Sequence, residues 1–327
     1  MKFEQATLQL EQIRAALRTA IVGQDALIDN LLTAVVAGGH VLLEGLPGLG
    51  KTHLAKALAA TLGLRASRVQ CTPDLMPADL TGAEIFRAGS DILHSFEFRP
   101  GPIFANLVLV DEINRTTPRT QAALLEAMQE HQVTCGGTRH ALPTPFCVLA
   151  TQNPIELEGT YPLPEAQLDR FMFKLSVGYP DADALRTMLD VSLDAEPSDS
   201  MAALLDEQQL LALSATCRET LVSSVCKDAA VALVLSTQPG SGLTSKAASK
   251  HLRYGASPRA LQALIRAARV AAVMRGRAHV DIADIELIAA PVLRHRVLLT
   301  LDSELEDMTA DDVIREVLRE WRARLPQ

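Results

Sequence analysis

Aromatic side chains are scarce: they make up 4% of the 327 residues, with a single tryptophan, so aliphatic residues must do most of the packing. Ala and Leu abound, which favours helix-rich packing. The five cysteines, Cys71, Cys135, Cys147, Cys217 and Cys226, are odd in number, scattered and never spaced C-x-x-C. That pattern excludes a secreted disulfide framework and reads as reduced, mostly structural thiols. None of the eight histidines pairs with Cys or an acid at a metal-ligand spacing. Positive charge is not concentrated either: the formal net charge is −8, and no block of Lys or Arg forms a nucleic-acid arm. No apolar run reaches the roughly 18 residues of a membrane span, and Lys2, Glu4 and Glu11 interrupt any signal-peptide core. The expectation is a cytoplasmic, soluble protein with no membrane span and no nucleic-acid partner. Nearly half the residues are apolar, which excludes disorder, and the length suits two domains.

What the sequence does have is Gly45-Leu-Pro-Gly-Leu-Gly-Lys-Thr52, set between the strand-like run His40–Glu44 and the helix-like run His53–Leu62. It fits G-x-x-x-x-G-K-[ST] in the strand-loop-helix context, where glycines let the backbone point successive N–H groups at phosphates. At average residue usage the pattern arises by chance roughly once in a hundred chains of this size. Gly45, Leu46, Pro47, Gly48, Leu49, Gly50, Lys51, Thr52 and His53 are the expected nucleotide contacts. Lys51 reaches the β- and γ-phosphates and Thr52 ligates Mg²⁺.

Along the chain, Leu10, Ile13 and Leu17 place an amphipathic helix over 5–20, and a second helical pattern runs to Ala37. Arg68–Cys71 reads as a short strand. The segment Thr72–Pro102, punctuated by Pro and Gly, reads as a hairpin-like insertion at about 80–100. Ala105–Val110 and Phe146–Ala150 are apolar runs of the kind buried on both faces in a parallel sheet. Between them, Thr117-Pro118 opens a helix to Glu130, and Gly136-Gly137 marks a hairpin at about 131–143. A helix over Leu163–Phe171 and a strand over Phe171–Leu175 follow. Alternation of strand and helix to about residue 178 predicts an open parallel α/β sheet. Beyond Pro180 the texture is helical with no strand pattern, and helices are expected at 182–193, 206–217, 225–236, 258–274, 281–289 and 311–324. Gln238–Gly255 reads as an exposed, mobile loop. The domains are therefore 1–180 and 181–327.

Leu107-Val-Leu-Val ends in Asp111-Glu112, where a P-loop protein places its Mg²⁺ and water-activating acids. Asp111 is the candidate metal partner with Thr52, and Glu112 polarises the attacking water; taken alone, the pair is also a strand end with two solvated acids. Asn153 ends a second buried strand and would emerge on the same edge, although Asn153-Pro154 by itself reads as a turn. Arg170 and Arg259 sit in ordered contexts and either stabilise charge on a transferred phosphate, a role that an arginine of another subunit can also fill, or are solvated or salt-bridged surface residues. Arg115 and Arg119 follow the acids and could face a neighbour. Trp321 reads as a packing or partner-contact residue.

The ordered blocks Val22-Gly-Gln24, Gly45–Thr52, Thr72-Pro-Asp-Leu-Met-Pro77, Phe98-Arg-Pro-Gly-Pro-Ile103, Asp111-Glu-Ile-Asn-Arg115, Ala150-Thr-Gln-Asn-Pro154, Gly159–Phe171 and Gly255-Ala-Ser-Pro-Arg259 resemble the MoxR family of AAA+ ATPases over nearly the whole chain. The resemblance implies a P-loop AAA+ core with a parallel five-stranded sheet flanked by helices, an insert in helix 2, a hairpin before sensor 1, and a smaller all-helical C-terminal lid. It implies Lys51 and Thr52 as Walker A, Asp111 and Glu112 as Walker B, Asn153 as sensor 1, Arg170 as arginine finger and Arg259 as sensor 2, with Val22 and Gly23 beside the adenine. It also implies ATP and Mg²⁺ as cofactors and a hexameric ring with ATP between subunits. The implied partners are a von Willebrand factor A domain protein and a client complex that is matured or receives metal. Where family members often carry an aromatic, this chain has Cys71, and the stretches around 193–204 and 236–254 match poorly. Two other readings stay open: a nucleic-acid-directed AAA+ motor, which DNA-stimulated hydrolysis would reveal, and a slow nucleotide-gated scaffold, marked by low turnover that no partner alters.

Overall fold

The computed structural model describes residues 1–87, 95–155, 159–192 and 202–325. The chain opens with two helices, α1 (Phe3–Ala20) and α2 (Asp25–Val36), and the Leu10, Ile13 and Leu17 stripe of α1 is buried. Next come β1 (Val41–Glu44), α3 (Lys51–Thr61), β2 (Ala66–Gln70), the short α4 (Pro77–Thr81) and the hairpin strands β3 (Gly82–Arg87) and β4 (Ser95–Pro100). The core then continues through β5 (Leu107–Asp111), α5 (Pro118–Glu130), hairpin β6 (Gln132–Cys135) and β7 (Thr138–Ala141), β8 (Cys147–Gln152), α6 (Glu165–Leu168) and β9 (Phe173–Ser176). The expected helix-2 insert is thus a β3–β4 hairpin; its residues 88–94 lie outside those described.

Five strands form one parallel sheet in the order β2-β5-β8-β1-β9. Both faces of the central strands β1, β5 and β8 are covered, which is why these three are nearly continuous apolar runs, whereas β2 at the side of the sheet is mostly exposed. Val41, Leu43, Leu107, Leu109, Cys147 and Leu149 join α1–α3 in one core, while Leu42, Val108, Val110, Val148 and Ala150 join α5 in the other. Side-chain alternation along a strand divides each run between the two cores.

The remaining chain is mostly helical: α7 (Ala182–Ser192), α8 (Glu207–Arg218), α9 (Ser224–Ser236), α10 (Lys246–His251), α11 (Pro258–Met274), α12 (Ile282–Leu293), α13 (Leu301–Leu305) and α14 (Ala310–Arg324). Residue 193, at the end of the expected 182–193 helix, lies outside the described residues. The apolar core on the α1–α3 side of the sheet continues without a break into α8–α12 and α14. Trp321 is buried there and donates from Nε1 to the Ala229 carbonyl at 2.9 Å, which makes it a packing residue.

Five expectations are corrected. Strands do occur after residue 180: β10 (Leu252–Tyr254) and β11 (Leu298–Leu299) pair antiparallel, too short to leave a period-2 pattern. Gln238–Gly255 is not a loop throughout. It contains α10, capped by the Ser245 hydroxyl and by the Glu320 carboxylate, which accepts from the Lys246 and Ala247 N–H groups, and it buries Ala247, Ala248 and His251. The helix expected over 163–171 contracts to α6, and β9 begins two residues later than expected. Finally, α12 runs on past 289 and through Pro291 to Leu293.

Candidate active site at the strand ends

Parallel register puts the C-terminal ends of four strands on one edge: Glu44 pairs with Gln152, and Gln70 with Asp111. The loop after β1, the acids at the end of β5 and Asn153 after β8 therefore emerge side by side. Gly48 and Gly50 adopt φ of 82° and 75°, the left-handed region, and a Cβ at either would meet nothing within 4 Å. The glycines thus shape an open cradle in front of the N-terminus of α3, which favours anions. Gly45 serves differently: a Cβ there would lie 2.8 Å from the Val177 carbonyl oxygen. Lys51 opens α3 and its Nζ donates back across the loop to the Gly45 and Leu46 carbonyls. Burial lowers the Lys51 pKa, and the nearby Asp111 and Glu112 oppose that shift. Thr52 follows in the first turn of α3, and His53 reaches back from Nε2 to the Ala20 carbonyl at 3.2 Å. Val22 and Gly23 form the turn between α1 and α2, and Gly23 packs so closely on Ala184 of α7 that a Cβ would stand 2.5 Å from that residue's own.

The two acids are tied into a side-chain chain that runs along this edge. Asp111 is buried; its Oδ2 accepts from Arg68 Nε at 2.7 Å and its Oδ1 from the Thr151 hydroxyl at 3.3 Å. Thr151 Oγ1 in turn accepts the Glu112 N–H at 2.8 Å. Glu112 itself has φ 57°, uncommon for a residue with a Cβ and a mark of local strain at functional positions. Its Oε2 accepts from Gln70 Nε2 and from Arg115 NH1, both at 2.9 Å. Cys71, just beyond, is pushed up to about 12 by burial and by the same two acids, so it stays a thiol. Arg68, Gln70 and Thr151 were not singled out from the sequence. Val69 is buried, so alternation turns Arg68 and Gln70 to a common face, but only the β2–β5 pairing brings that face to the acids.

Asn153 is buried beside Gly45, whose N–H donates to the Gln152 carbonyl; its Oδ1 accepts from the Ile155 N–H at 3.2 Å. Arg170 and Arg259 lie elsewhere. They share a cavity of about 210 Å³ with Gly38, Gly39 and Met172, which precede β1 and β9, and hence occupy the opposite edge of the sheet. By strand rise that edge is about 20 Å from Gly45. Arg170 NH1 donates to the Leu125 carbonyl at 2.6 Å; Arg259 stands 3.8 Å from Asp169. Arg115 joins the acids, as described; Arg119 lies in the first turn of α5.

The site fits a nucleotide and its metal. The loop offers N–H groups and an ammonium to phosphates, while the Thr52 hydroxyl and Asp111 carboxylate are oxygen ligands suited to Mg²⁺, which takes few ligands from protein. Among the described residues no group of three or more His, Cys, Asp or Glu could hold a metal ion. No described helix is long and apolar enough to cross a membrane.

An edge of this kind defines a P-loop ATPase, and comparison with known proteins narrows the class. The profile of the ATPase family associated with various cellular activities (AAA) matches residues 40–173, and that of the AAA lid domain matches residues 244–317. Chaperone MoxR1 of Mycobacterium tuberculosis is 41% identical over 97% of this chain and 82% of its own length. Protein YeaC of Bacillus subtilis is 40% identical over 91% and 89%. A crystal structure from Cytophaga hutchinsonii superposes with a TM-score of 0.88 at 38% identity, covering 97% of this chain and 96% of that one. The chain belongs to the MoxR family of AAA+ ATPases and is an ATP hydrolase.

Proposed function

We propose that this ATPase works as a closed ring, a hexamer, in which each ATP lies between two subunits and hydrolysis remodels a partner protein. Lys51 holds the β- and γ-phosphates, and Thr52 and Asp111 hold Mg²⁺, which neutralises charge on the transferred phosphate. Glu112 draws the proton of the attacking water while Asn153 orients that water, and Val22, Gly23 and His53 border the base and ribose side. Arg170 and Arg259 act on the neighbour's ATP. The observation that supports this reading is the placement of both arginines on the edge opposite the subunit's own phosphate loop. Residues 1–180 form the nucleotide-binding unit and 181–327 the lid.

The relative named Chaperone MoxR1 supports a chaperone-like role for this chain. The finer reading is a cytoplasmic machine that works with a von Willebrand factor A domain protein to mature, or insert metal into, a client complex. Capture with Glu112→Gln held in ATP tests it. Retention of a von Willebrand factor A domain protein or a metalloprotein complex in ATP but not ADP supports the reading, and an equal yield in both nucleotides contradicts it.

A further inference from the structure

The cavity that holds Arg170 and Arg259 is lined by four arginines, these two with Arg266 and Arg296, and by one acid, Asp169. Asp169 immediately precedes Arg170, and three groups from the C-terminal helices converge on it. Ser257, the N-cap of α11, donates its hydroxyl to the carboxylate, 2.9 Å from both oxygens. Arg259, two residues into α11, stands 3.8 Å from Oδ2. Arg296, just past the end of α12, donates from Nε to Oδ1 at 2.7 Å.

Arg296 does more than neutralise Asp169. Its side chain is 3% exposed, and every one of its N–H groups is used. NH2 donates to the Asp169 and Phe171 carbonyls at 3.1 and 2.6 Å, and NH1 to the Met172 carbonyl at 3.1 Å and to the Val292 carbonyl in the last turn of α12. The adjacent His295 adds a bond from Nε2 to the Phe171 carbonyl at 3.0 Å. The backbone on both sides of Arg170 is therefore gripped by the lid, while its guanidinium is anchored on the Leu125 carbonyl of α5. A planar, fully satisfied guanidinium fixes orientation as well as charge.

We infer that Asp169 and Arg296 are positioning residues that lock Arg170 to the lid, so that the finger offered to a neighbour's ATP and the Arg259 beside it move as one body with this subunit's lid. The inference rests on the reading of Arg170 as a residue that serves the neighbouring subunit. Its consequence is directional: disrupting Asp169 damages the subunit's capacity to complete its neighbour's site and leaves its own phosphate loop competent.

Mixed assemblies of full-length chains test this. Glu112→Gln subunits carry intact fingers and dead sites, and Arg170→Ala subunits carry intact sites and no fingers, so their mixture regains hydrolysis if fingers act on neighbours. When Asp169→Ala is added to the Glu112→Gln finger donor, the regained kcat is expected to fall by about 10- to 100-fold, the scale of a misplaced group. When it is added instead to the Arg170→Ala site donor, the regained kcat and the KM for ATP are expected to match the unmodified mixture. Arg296→Lys, which keeps the charge and loses the fork, is expected to repeat the donor-side loss, and Asp169→Asn, which keeps one acceptor oxygen for Arg296 Nε and loses the charge, to restore part of it. Equal rescue with and without Asp169→Ala in the finger donor overturns the inference, as does an equal loss in both arms, which is what a merely structural role would give. No rescue in the parent mixture overturns instead the reading of Arg170 on which it rests.

Discussion

His40, immediately before β1, is the clearest pH-sensitive element of the arginine edge. It is fully buried, its Nδ1 accepts the Val148 N–H at 3.0 Å, and its Nε2 therefore carries the proton and donates to the Met128 carbonyl at 3.1 Å. Burial pushes its pKa down to about 4, with His131 and Arg266 adding to the effect and the Met128 bond opposing it. Because the folded value lies below the ordinary 6.5, the extra proton is taken up on unfolding. Stability is therefore full above about pH 6.5 and is lost as the pH falls towards 4. Between pH 7 and pH 5 this one group removes about 2 kcal/mol. His295, whose pKa burial also lowers, shifts stability in the same direction. Comparison with His40→Phe isolates the first contribution. At pH 7 the variant leaves the Val148 N–H and Met128 carbonyl unpaired, at a cost of about 2–4 kcal/mol. Urea unfolding followed by circular dichroism at pH 7, 6 and 5 should show the gap between the two proteins narrowing by about 2 kcal/mol as the pH falls. A gap that stays constant would refute the assignment of a neutral, buried His40.

Other consequences are as direct. Glu112→Gln should bind a fluorescent ATP analogue as tightly as the unmodified chain and lose turnover; hydrolysis within a factor of about 3 of the original would remove Glu112 from the chemistry. Gly45→Ala forces a Cβ against the Val177 carbonyl, so it should cost about 1–3 kcal/mol and weaken ATP binding, readable by calorimetry. Trp321→Phe removes the Nε1 bond to the Ala229 carbonyl and leaves a gap in the core, and a loss of about 1–3 kcal/mol is expected in thermal unfolding.

Much of this molecule could be read from its residues because the signals were local. The phosphate loop, the apolar runs ending in Asp111-Glu112 and Asn153, and the Gly136-Gly137 hairpin each declare themselves within a few positions. What escaped depends on contacts between distant segments. Gln70 and Arg68 become neighbours of the acids only through the β2–β5 pairing, and Arg296 meets Asp169 across 127 positions of sequence. The place of Arg259 is not legible either, because motif order says nothing about which edge of a sheet a lid helix approaches. Its position beside Arg170 follows from the packing of α11 and α12 near the starts of β1 and β9. In the same way α10 was hidden in a polar stretch: it is six residues long, and beyond its local Ser245 cap its first N–H groups are met by Glu320 on the last helix.

The central claim is that the ATP site is complete only when a second copy supplies its arginine edge. Hydrolysis per subunit, measured over a dilution series alongside light scattering and binding of a fluorescent ATP analogue, tests it most directly. The account predicts that specific activity falls with the assembled fraction while the bound fraction of analogue per subunit holds, and that Arg170→Ala is low at every concentration. Constant specific activity through a range where scattering reports monomer would contradict it.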